Sequence, residues 1–157
     1  MKASGGWKNA AILTVSSGLG SGYSPFASGT AGSVVGLAVA WLLYCLGWPV
    51  YLLVTAALFA AGVYVSGLAE EIYRQKDSGR IVIDEIVGML LTVAFVPFTP
   101  VNLVAGFLLF RVFDIVKPFP ARRIDQRMGG GMGVMLDDVV AGIYANICLQ
   151  ALRLVVS

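Results

Sequence analysis

The chain alternates long apolar segments with short polar ones. A helix needs about 20 residues to cross a hydrocarbon core of about 30 Å, so the second and fifth apolar segments are long enough to span a membrane. The third and fourth are short unless their helices begin inside the polar loops. The pattern predicts five helices, with NAAILTVSS near the N-terminus as a weaker sixth that is interfacial or re-entrant. The five segments cover about residues 31–47, 50–69, 86–96, 101–116 and 134–156.

The composition is that of a membrane protein. Hydrophobic residues make up 58% of the 157 residues and charged residues 13%, and the mean hydropathy is +0.84. A soluble domain carries about 25% charged residues, so this chain cannot cover its surface with charge in water. We therefore predict an all-α, polytopic membrane helix bundle of about four to five spans, formed by residues 1–157 as a single domain.

The charged residues are confined to a few regions. Between Lys8 and Glu70 the chain contains none, and the turns GWP and PFTP are also uncharged, whereas 70–85 and 111–138 contain nearly all the charge. Lys and Arg favour the cytoplasmic side of a membrane. The two charged loops and the N-terminus are therefore predicted to be cytoplasmic.

Two pairs of adjacent acids stand where these charged regions meet apolar segments. Asp84 and Glu85 lie in KDSGRIVIDEIVG, and Asp137 and Asp138 follow the glycines of MGGGMGVMLDDVVAG, where they are expected to begin the last helix. Adjacent carboxylates repel each other, so a nearby cation would keep both charged. An oxygen-only set of ligands, without histidine or thiolate, suits Mg²⁺. The alternative is that each pair caps the N-terminus of a helix.

Two other segments contain groups that suit a phosphate. GLGSGYSPFASGTAGSVVG leads into a helix that is expected to begin near Thr30 or Ala31, and the N–H groups at a helix start attract anions. A flexible connector with small residues for helix packing is the alternative. FRVFDIVKPFP aligns Arg111, Asp114 and Lys117 on one helical face. A guanidinium fork matches phosphate oxygens, although a structural ion-pair ladder would have the same spacing.

Several enzyme classes are excluded by the residues that the chain lacks. It contains no histidine, which excludes phosphohistidine chemistry and the vanadium-peroxidase-like lipid phosphatases. Neither cysteine begins a C-x₅-R loop, and the D-x-D-x-[TV] and D-G-x₂-A-R motifs are absent. A net charge of +2, without a long basic run, argues against a nucleic-acid partner. Metal-assisted chemistry on carboxylates and arginines remains.

Four motifs, in order and over roughly residues 18–145, resemble those of the bacterial phosphatidylglycerophosphatase A family. They are GYSPFASGTAGS, IVIDEIVGM, FRVFDIVKPFP and GGMGVMLDDVVAG. The resemblance implies a Mg²⁺-dependent enzyme of the bacterial inner membrane, with its active site on the cytoplasmic side. Such an enzyme hydrolyses the phosphomonoester of phosphatidylglycerophosphate to phosphatidylglycerol and phosphate. Family members commonly read Pro-Gly-Thr where this chain has Ser28-Gly29-Thr30.

The resemblance also suggests a role for each matching residue. The residues that are expected to be catalytic and to hold Mg²⁺ are four acids, Asp84, Glu85, Asp137 and Asp138. Asp114 is expected to be a fifth acid of the catalytic group, as base, as nucleophile or only as the residue that orients Arg111. The phosphomonoester is expected to bind Arg111, Lys117 and the helix start at Thr30.

Other functions would use the same residue types. A phosphatase for another lipid phosphate needs the same groups. A small ion-coupled transporter also has acids within the membrane, but these would lie near the middle of the bilayer rather than at helix ends. A structural membrane subunit would use the acids only for ion pairing. No oligomeric state is indicated by the sequence.

A single site makes a geometric prediction. Mg²⁺ binds oxygens at about 2.0 to 2.1 Å, so at least one carboxylate of each acidic pair should lie within roughly 3 to 6 Å of the other pair. Arg111 and the helix start at Thr30 should line the same cleft. Acidic pairs that face different surfaces would instead indicate two helix caps.

Overall fold

The fold is entirely helical over the residues that the computed structural model describes, which are 6–156 without the side chains of Asp125 and Val156. No strand occurs among them, which confirms the predicted fold class. The five terminal residues before Gly6 and the last residue belong to the predicted domain but lie outside the described part. The helices are α1 Gly6–Ser16, α2 Ser28–Cys45, α3 Trp48–Tyr73, α4 Ile83–Thr92, α5 Pro100–Val116, α6 Ala121–Arg127 and α7 Gly130–Val156, with a 3₁₀ turn at Ser21–Tyr23.

The five predicted apolar segments correspond to α2, α3, α4, α5 and α7. Among the described helices, α2, α3 and Gly130–Val155 of α7 are long and apolar enough to cross a membrane. α5 has 17 residues, at the lower limit of about 17 to 25 for a span, and α4, with 10, is too short. The predicted count of four to five spans therefore includes one helix at the limit and one below it. α6 has no counterpart among the predicted helices.

α4 lies at the centre of the bundle, in contact with α2, α3, α5 and α7. Aromatic pairs locate its far end: the ring centroids of Tyr44 and Phe98 are 4.3 Å apart, and those of Trp48 and Phe95 are 4.7 Å apart. The turn after α4 therefore lies beside the uncharged turn between α2 and α3. α4 thus runs from the charged end of the bundle, formed by regions 70–85 and 111–138, toward the uncharged end.

Side chains of α7 bind the backbone where α4 stops. Asn146 Nδ2 donates to the carbonyl oxygens of Thr92 at 2.8 Å and Ala94 at 2.9 Å, and Gln150 Nε2 donates to that of Phe95 at 3.3 Å. The last carbonyls of a helix have no partner within the helix, and irregular backbone at membrane depth needs protein partners. α4 can therefore end early, because side chains of α7 donate hydrogen bonds to the backbone carbonyl groups at its end.

Two glycines bring α4 and α7 into backbone contact. A Cβ atom on Gly142 would clash with the carbonyl oxygen of Gly88, and one on Gly88 would lie 2.5 Å from the Phe110 ring. Small residues permit this close approach in membrane helices. Gly88 follows Asp84 by four residues, and Gly142 follows Asp138 by four. The contact therefore sets both acids one helical turn away, at the same level of the bundle.

Candidate active site

Three carboxylates from α4 and α7 converge at the charged end of the bundle. One carboxylate oxygen from each of Asp84, Glu85 and Asp138 lies within 4.8 Å of the other two. Asp84 and Asp138 are buried, and Glu85 is partly exposed. The predicted approach of the two acidic pairs is therefore confirmed for these three residues. We call them the acidic cluster.

The acidic cluster contains buried carboxylate oxygens that the described part of the chain leaves without a hydrogen bond. Asp84 Oδ1, Glu85 Oε2 and Asp138 Oδ2 are buried and accept no hydrogen bond from the described residues. Burial raises the pKa of the Asp84 carboxyl well above its ordinary value, and the nearby charges of Glu85 and Asp138 add to the rise. Burial also raises the pKa of Glu85 to about 7. Converging oxygen ligands without nitrogen or sulfur fit a hard cation such as Mg²⁺.

α5 adds a fourth acid and a cation to this group. Arg111 Nη1 donates to Asp114 Oδ2 at 2.7 Å, one helical turn along α5. Asp114 is also a close electrostatic neighbour of Asp138. Asp114 therefore connects the acidic cluster to the guanidinium that is expected to bind phosphate.

The first turn of α2 closes the site from another side. α2 begins at Ser28, two or three residues before the expected start near Thr30 or Ala31, and no side-chain hydrogen bond from the described residues caps it. A Cβ atom on Gly29 would lie 2.6 Å from Glu85 Oε1 and 3.0 Å from Arg111 Nη1. The helix start, with its N–H groups that lack partners within the helix, therefore lies against both side chains.

Asp137 lies in a different contact from its neighbour. Its Oδ2 accepts a hydrogen bond from Lys117 Nζ at 2.5 Å, which joins α7 to the end of α5. Adjacent residues of a helix point about 100° apart, so Asp137 and Asp138 face different partners. Asp137 is not one of the three residues of the acidic cluster.

The position of this pair along α7 corrects one expectation. α7 begins at Gly130, and its first turn contains no acid, so Asp137 and Asp138 lie about two turns inside the helix. The alternative that this pair caps a helix is wrong. Asp84 and Glu85 do lie in the first turn of α4, where the helix dipole favours acids. That preference does not explain why they meet Asp138.

Comparison with known proteins identifies the family. The phosphatidylglycerophosphatase A family model matches residues 14–153. The chain belongs to this family. Membership confirms the predicted enzyme class, a phosphoric monoester hydrolase that acts on lipids. No solved structure matches the chain.

Curated relatives of this phosphatidylglycerophosphatase A family member cover most of its length. The phosphatidylglycerophosphatase A of Escherichia coli K12 is 38% identical over 146 residues, which are 92% of this chain and 82% of the relative. The protein of the same name from Haemophilus influenzae Rd is 41% identical over 138 residues, 87% and 85% of the two chains. A Bacteroides thetaiotaomicron protein, provisionally named phosphatidylinositol-3-phosphatase, is 38% identical over 153 residues, 92% and 94%.

Gly29 is the site residue that the phosphate-binding prediction missed, although the same segment was singled out. Thr30 lies in the first turn of α2 and is partly buried, but the residue where an added Cβ would meet Glu85 and Arg111 is Gly29. A glycine in the first turn of a helix, next to a residue expected to bind phosphate, is the signal that could have identified it, because glycine lets the backbone approach other groups closely.

Proposed function

We propose that the protein hydrolyses the phosphomonoester of phosphatidylglycerophosphate to phosphatidylglycerol and phosphate, and that it requires Mg²⁺. The observation that carries the proposal is the convergence of the acidic cluster, Arg111 and the start of α2 in one place. The substrate is inferred from the names of the Escherichia coli and Haemophilus influenzae relatives.

Asp84, Glu85 and Asp138 would hold the cation. Their oxygens lie within 4.8 Å of one another, and each side chain has a buried oxygen that accepts no hydrogen bond from the described residues. When bound, Mg²⁺ withdraws charge from the phosphoryl oxygens and makes a bound water more acidic. Asp137, predicted as a fourth ligand, is proposed instead to fix Lys117, whose ammonium group it contacts.

Arg111 would bind the phosphomonoester. A guanidinium has five N–H donors, and one of those of Arg111 goes to Asp114, which fixes the plane of the fork. The N–H groups in the first turn of α2, including that of Thr30, would bind the same phosphate, since Gly29 in that turn lies next to Arg111. Fixed donors around a phosphoryl group stabilise the charge that develops in the transition state. Lys117 adds a second cation from the end of the same helix.

Asp114 would act mainly through its neighbours. Its hydrogen bond to Arg111 supports a role in orienting the guanidinium. Its nearness to Asp138 would also allow it to take up a proton released at the reaction centre.

The test of this function is phosphate release from pure phosphatidylglycerophosphate by protein purified in detergent. A chelator should abolish the release and added Mg²⁺ should restore it. Because burial raises the pKa values of Asp84 and Glu85, Mg²⁺ must displace protons, so its apparent affinity should increase between about pH 6 and about pH 8. Titration calorimetry in two buffers of different ionisation enthalpy measures the released protons. Full activity in chelator would contradict the metal requirement.

A phosphatase for another lipid phosphate is the second candidate. The name of the Bacteroides thetaiotaomicron relative favours it, because that relative is as similar to this chain as the Escherichia coli protein is. Release rates from phosphatidylglycerophosphate, phosphatidate and phosphatidylinositol 3-phosphate decide between the two. A higher kcat/KM for either of the last two lipids would replace the first proposal.

We also infer that the protein lies in the bacterial inner membrane with its site on the cytoplasmic side. The site is at the same end of the bundle as the basic residues of segments 70–85 and 117–133, and basic segments between spans favour the cytoplasm. The test uses a protein whose native cysteines, Cys45 and Cys148, are replaced by alanine.

In that background, single cysteines at Gln75 and Gln126 should resist an impermeant thiol reagent in intact cells. A cysteine at Leu46, which is exposed at the uncharged end of the bundle, should react and serves as the positive control. Labelling of Gln75→Cys and Gln126→Cys from outside, with Leu46→Cys protected, would invert the proposed topology.

A further inference from the structure

Arg80 is an exposed cation in the loop before α4 that is held by aromatic rings. Its guanidinium carbon lies 5.7 Å from the ring centroid of Tyr23 and 5.4 Å from that of Tyr73. The two tyrosine hydroxyls are hydrogen-bonded to each other at 2.7 Å. Rings at this distance attract a guanidinium and orient it. We call these three residues the arginine clamp.

Arg80, the cation of the arginine clamp, differs from Arg111 and Lys117 in its ion pairing. Arg111 forms a salt bridge with Asp114, and Lys117 forms one with Asp137. Within the described part of the chain, no carboxylate forms a salt bridge with Arg80. Its positive charge is therefore oriented by neutral rings and is not neutralised by an acid, an arrangement that suits an anion from outside the protein.

The backbone around Arg80 is fixed. Ser78 is buried, and its carbonyl oxygen accepts a hydrogen bond from the N–H of Ile81 at 2.8 Å. The N–H of Val82 donates to the carbonyl oxygen of Ser16 at 2.9 Å. A Cβ atom on Gly22 would clash with the carbonyl oxygen of Arg80. The backbone of Arg80 is therefore held in place by other parts of the chain before any ligand binds.

The same loop lies beside the active site. Asp84 follows Arg80 by four positions, so their Cα atoms are at most about 14 Å apart. A Cβ atom on Gly79 would lie 3.7 Å from Ser28 Oγ, and Ser28 directly precedes Gly29, which contacts the site. These contacts locate Arg80 at the rim of the site, next to the first turn of α2.

We propose that Arg80, oriented by Tyr23 and Tyr73, binds the phosphodiester of the lipid while the phosphomonoester occupies the active site. The proposal rests on the proposed function, since it assigns the second phosphate of the same substrate. Phosphatidylglycerophosphate has a phosphodiester one glycerol unit away from the phosphate that is removed. A guanidinium fork can donate two hydrogen bonds to the non-bridging oxygens of a phosphodiester. The arginine clamp would then select lipids that carry this second phosphate.

The test compares Arg80→Gln with wild type on two lipids that differ in the phosphodiester. Phosphatidate has a phosphomonoester and no phosphodiester. For phosphatidylglycerophosphate, Arg80→Gln should raise KM about 10-fold to about 100-fold, the effect of losing a charge-assisted hydrogen bond, and should leave kcat within about 3-fold. For phosphatidate, either as substrate or as competitive inhibitor, the corresponding constant should not change. Arg80→Lys should restore part of the loss, because it keeps the charge without the fork.

Arg123→Gln is the matched control. Arg123 lies in α6, also within a charged region, and stacks on an aromatic ring, with its guanidinium carbon 4.9 Å from the centroid of Phe119. This variant should keep the wild-type constants for both lipids. An equal rise of KM for both lipids in Arg80→Gln, or a loss confined to kcat, would overturn the proposal.

The phosphodiester could also belong to a neighbouring membrane phospholipid, and a separate measurement distinguishes the two sources. Reactions are run in neutral detergent without other phospholipid. If the KM effect of Arg80→Gln disappears there, Arg80 binds the membrane surface and the substrate proposal is overturned. Persistence of the effect supports the substrate as the source.

Failure of the proposed function is detected separately. Wild-type protein that releases no phosphate from phosphatidylglycerophosphate would refute the function but not the arginine clamp. Binding of short-chain phosphatidylglycerol, which has the phosphodiester alone, then tests the role of Arg80. Phosphatidylglycerol should bind Arg80→Gln more weakly than wild type by about 10-fold or more. Binding of short-chain diacylglycerol should not change. Equal binding of phosphatidylglycerol to both proteins would overturn the proposal.

Discussion

Asp84→Asn and Asp138→Asn should each reduce kcat/KM for phosphate release at least about 10²-fold, since loss of a metal ligand or of the residue that orients one costs about 10-fold to 100-fold or more. Both side chains are buried in the acidic cluster, and an amide of the same shape removes the negative charge without leaving a cavity. Both variants should remain folded, because removal of one charge also reduces the repulsion among the remaining acids. Phosphate release and thermal unfolding of the purified proteins measure the two effects.

Two acid-to-amide controls make this prediction specific. Glu71→Gln changes an exposed acid on α3 and should have no effect on either measurement. Asp137→Asn should cause a smaller loss than Asp138→Asn, because the contact of Asp137 is with Lys117. Asp138→Asn with wild-type activity would refute the acidic cluster as the catalytic centre. Unfolding of both Asp84→Asn and Asp138→Asn would indicate instead a structural role for these acids.

The helices could be predicted because each long apolar segment has only one stable form in a membrane. A helix satisfies all of its own backbone groups, so segment positions follow from hydropathy alone. The start of α7 was harder to predict. The apolar segment begins near 134, and the glycines before it would usually weaken a helix, but α7 begins at Gly130. A Cβ atom on Gly131 would clash with the carbonyl oxygen of Val63, so this glycine serves the contact between α7 and α3.

The acids of the site could be identified from the sequence, but their individual partners could not. Asp137 and Asp138 are equivalent in a linear pattern, and only the rotation of α7 against α4 decides which of them meets Asp84. The contact between Gly88 and Gly142 fixes that rotation. Small residues of this kind occur at many positions of a membrane helix, so the sequence does not indicate which pair of glycines touches. Packing between helices that are far apart in the sequence therefore decides that Asp138, and not Asp137, joins the acidic cluster.

The replacement Gly29→Ala should reduce kcat/KM about 10-fold to about 100-fold without lowering the stability of the protein. The new methyl group would lie 2.6 Å from Glu85 Oε1 and 3.0 Å from Arg111 Nη1, so both side-chain ends must move. A displacement of about 1 Å in a catalytic group can cost about 10²-fold in rate. The fold can absorb the change, because the atoms that move are the ends of flexible side chains.

The stability measurement separates this functional effect from misfolding. Alanine favours a helix over glycine by about 1 kcal/mol and reduces the freedom of the unfolded chain, so the free energy of unfolding should stay constant or rise. Gly129→Ala is the matched control, since its Cβ would meet nothing within 4 Å and activity should not change. If Gly29→Ala retained full activity, the first turn of α2 would not line the site, and the phosphate would have to bind through Arg111 and Lys117 alone.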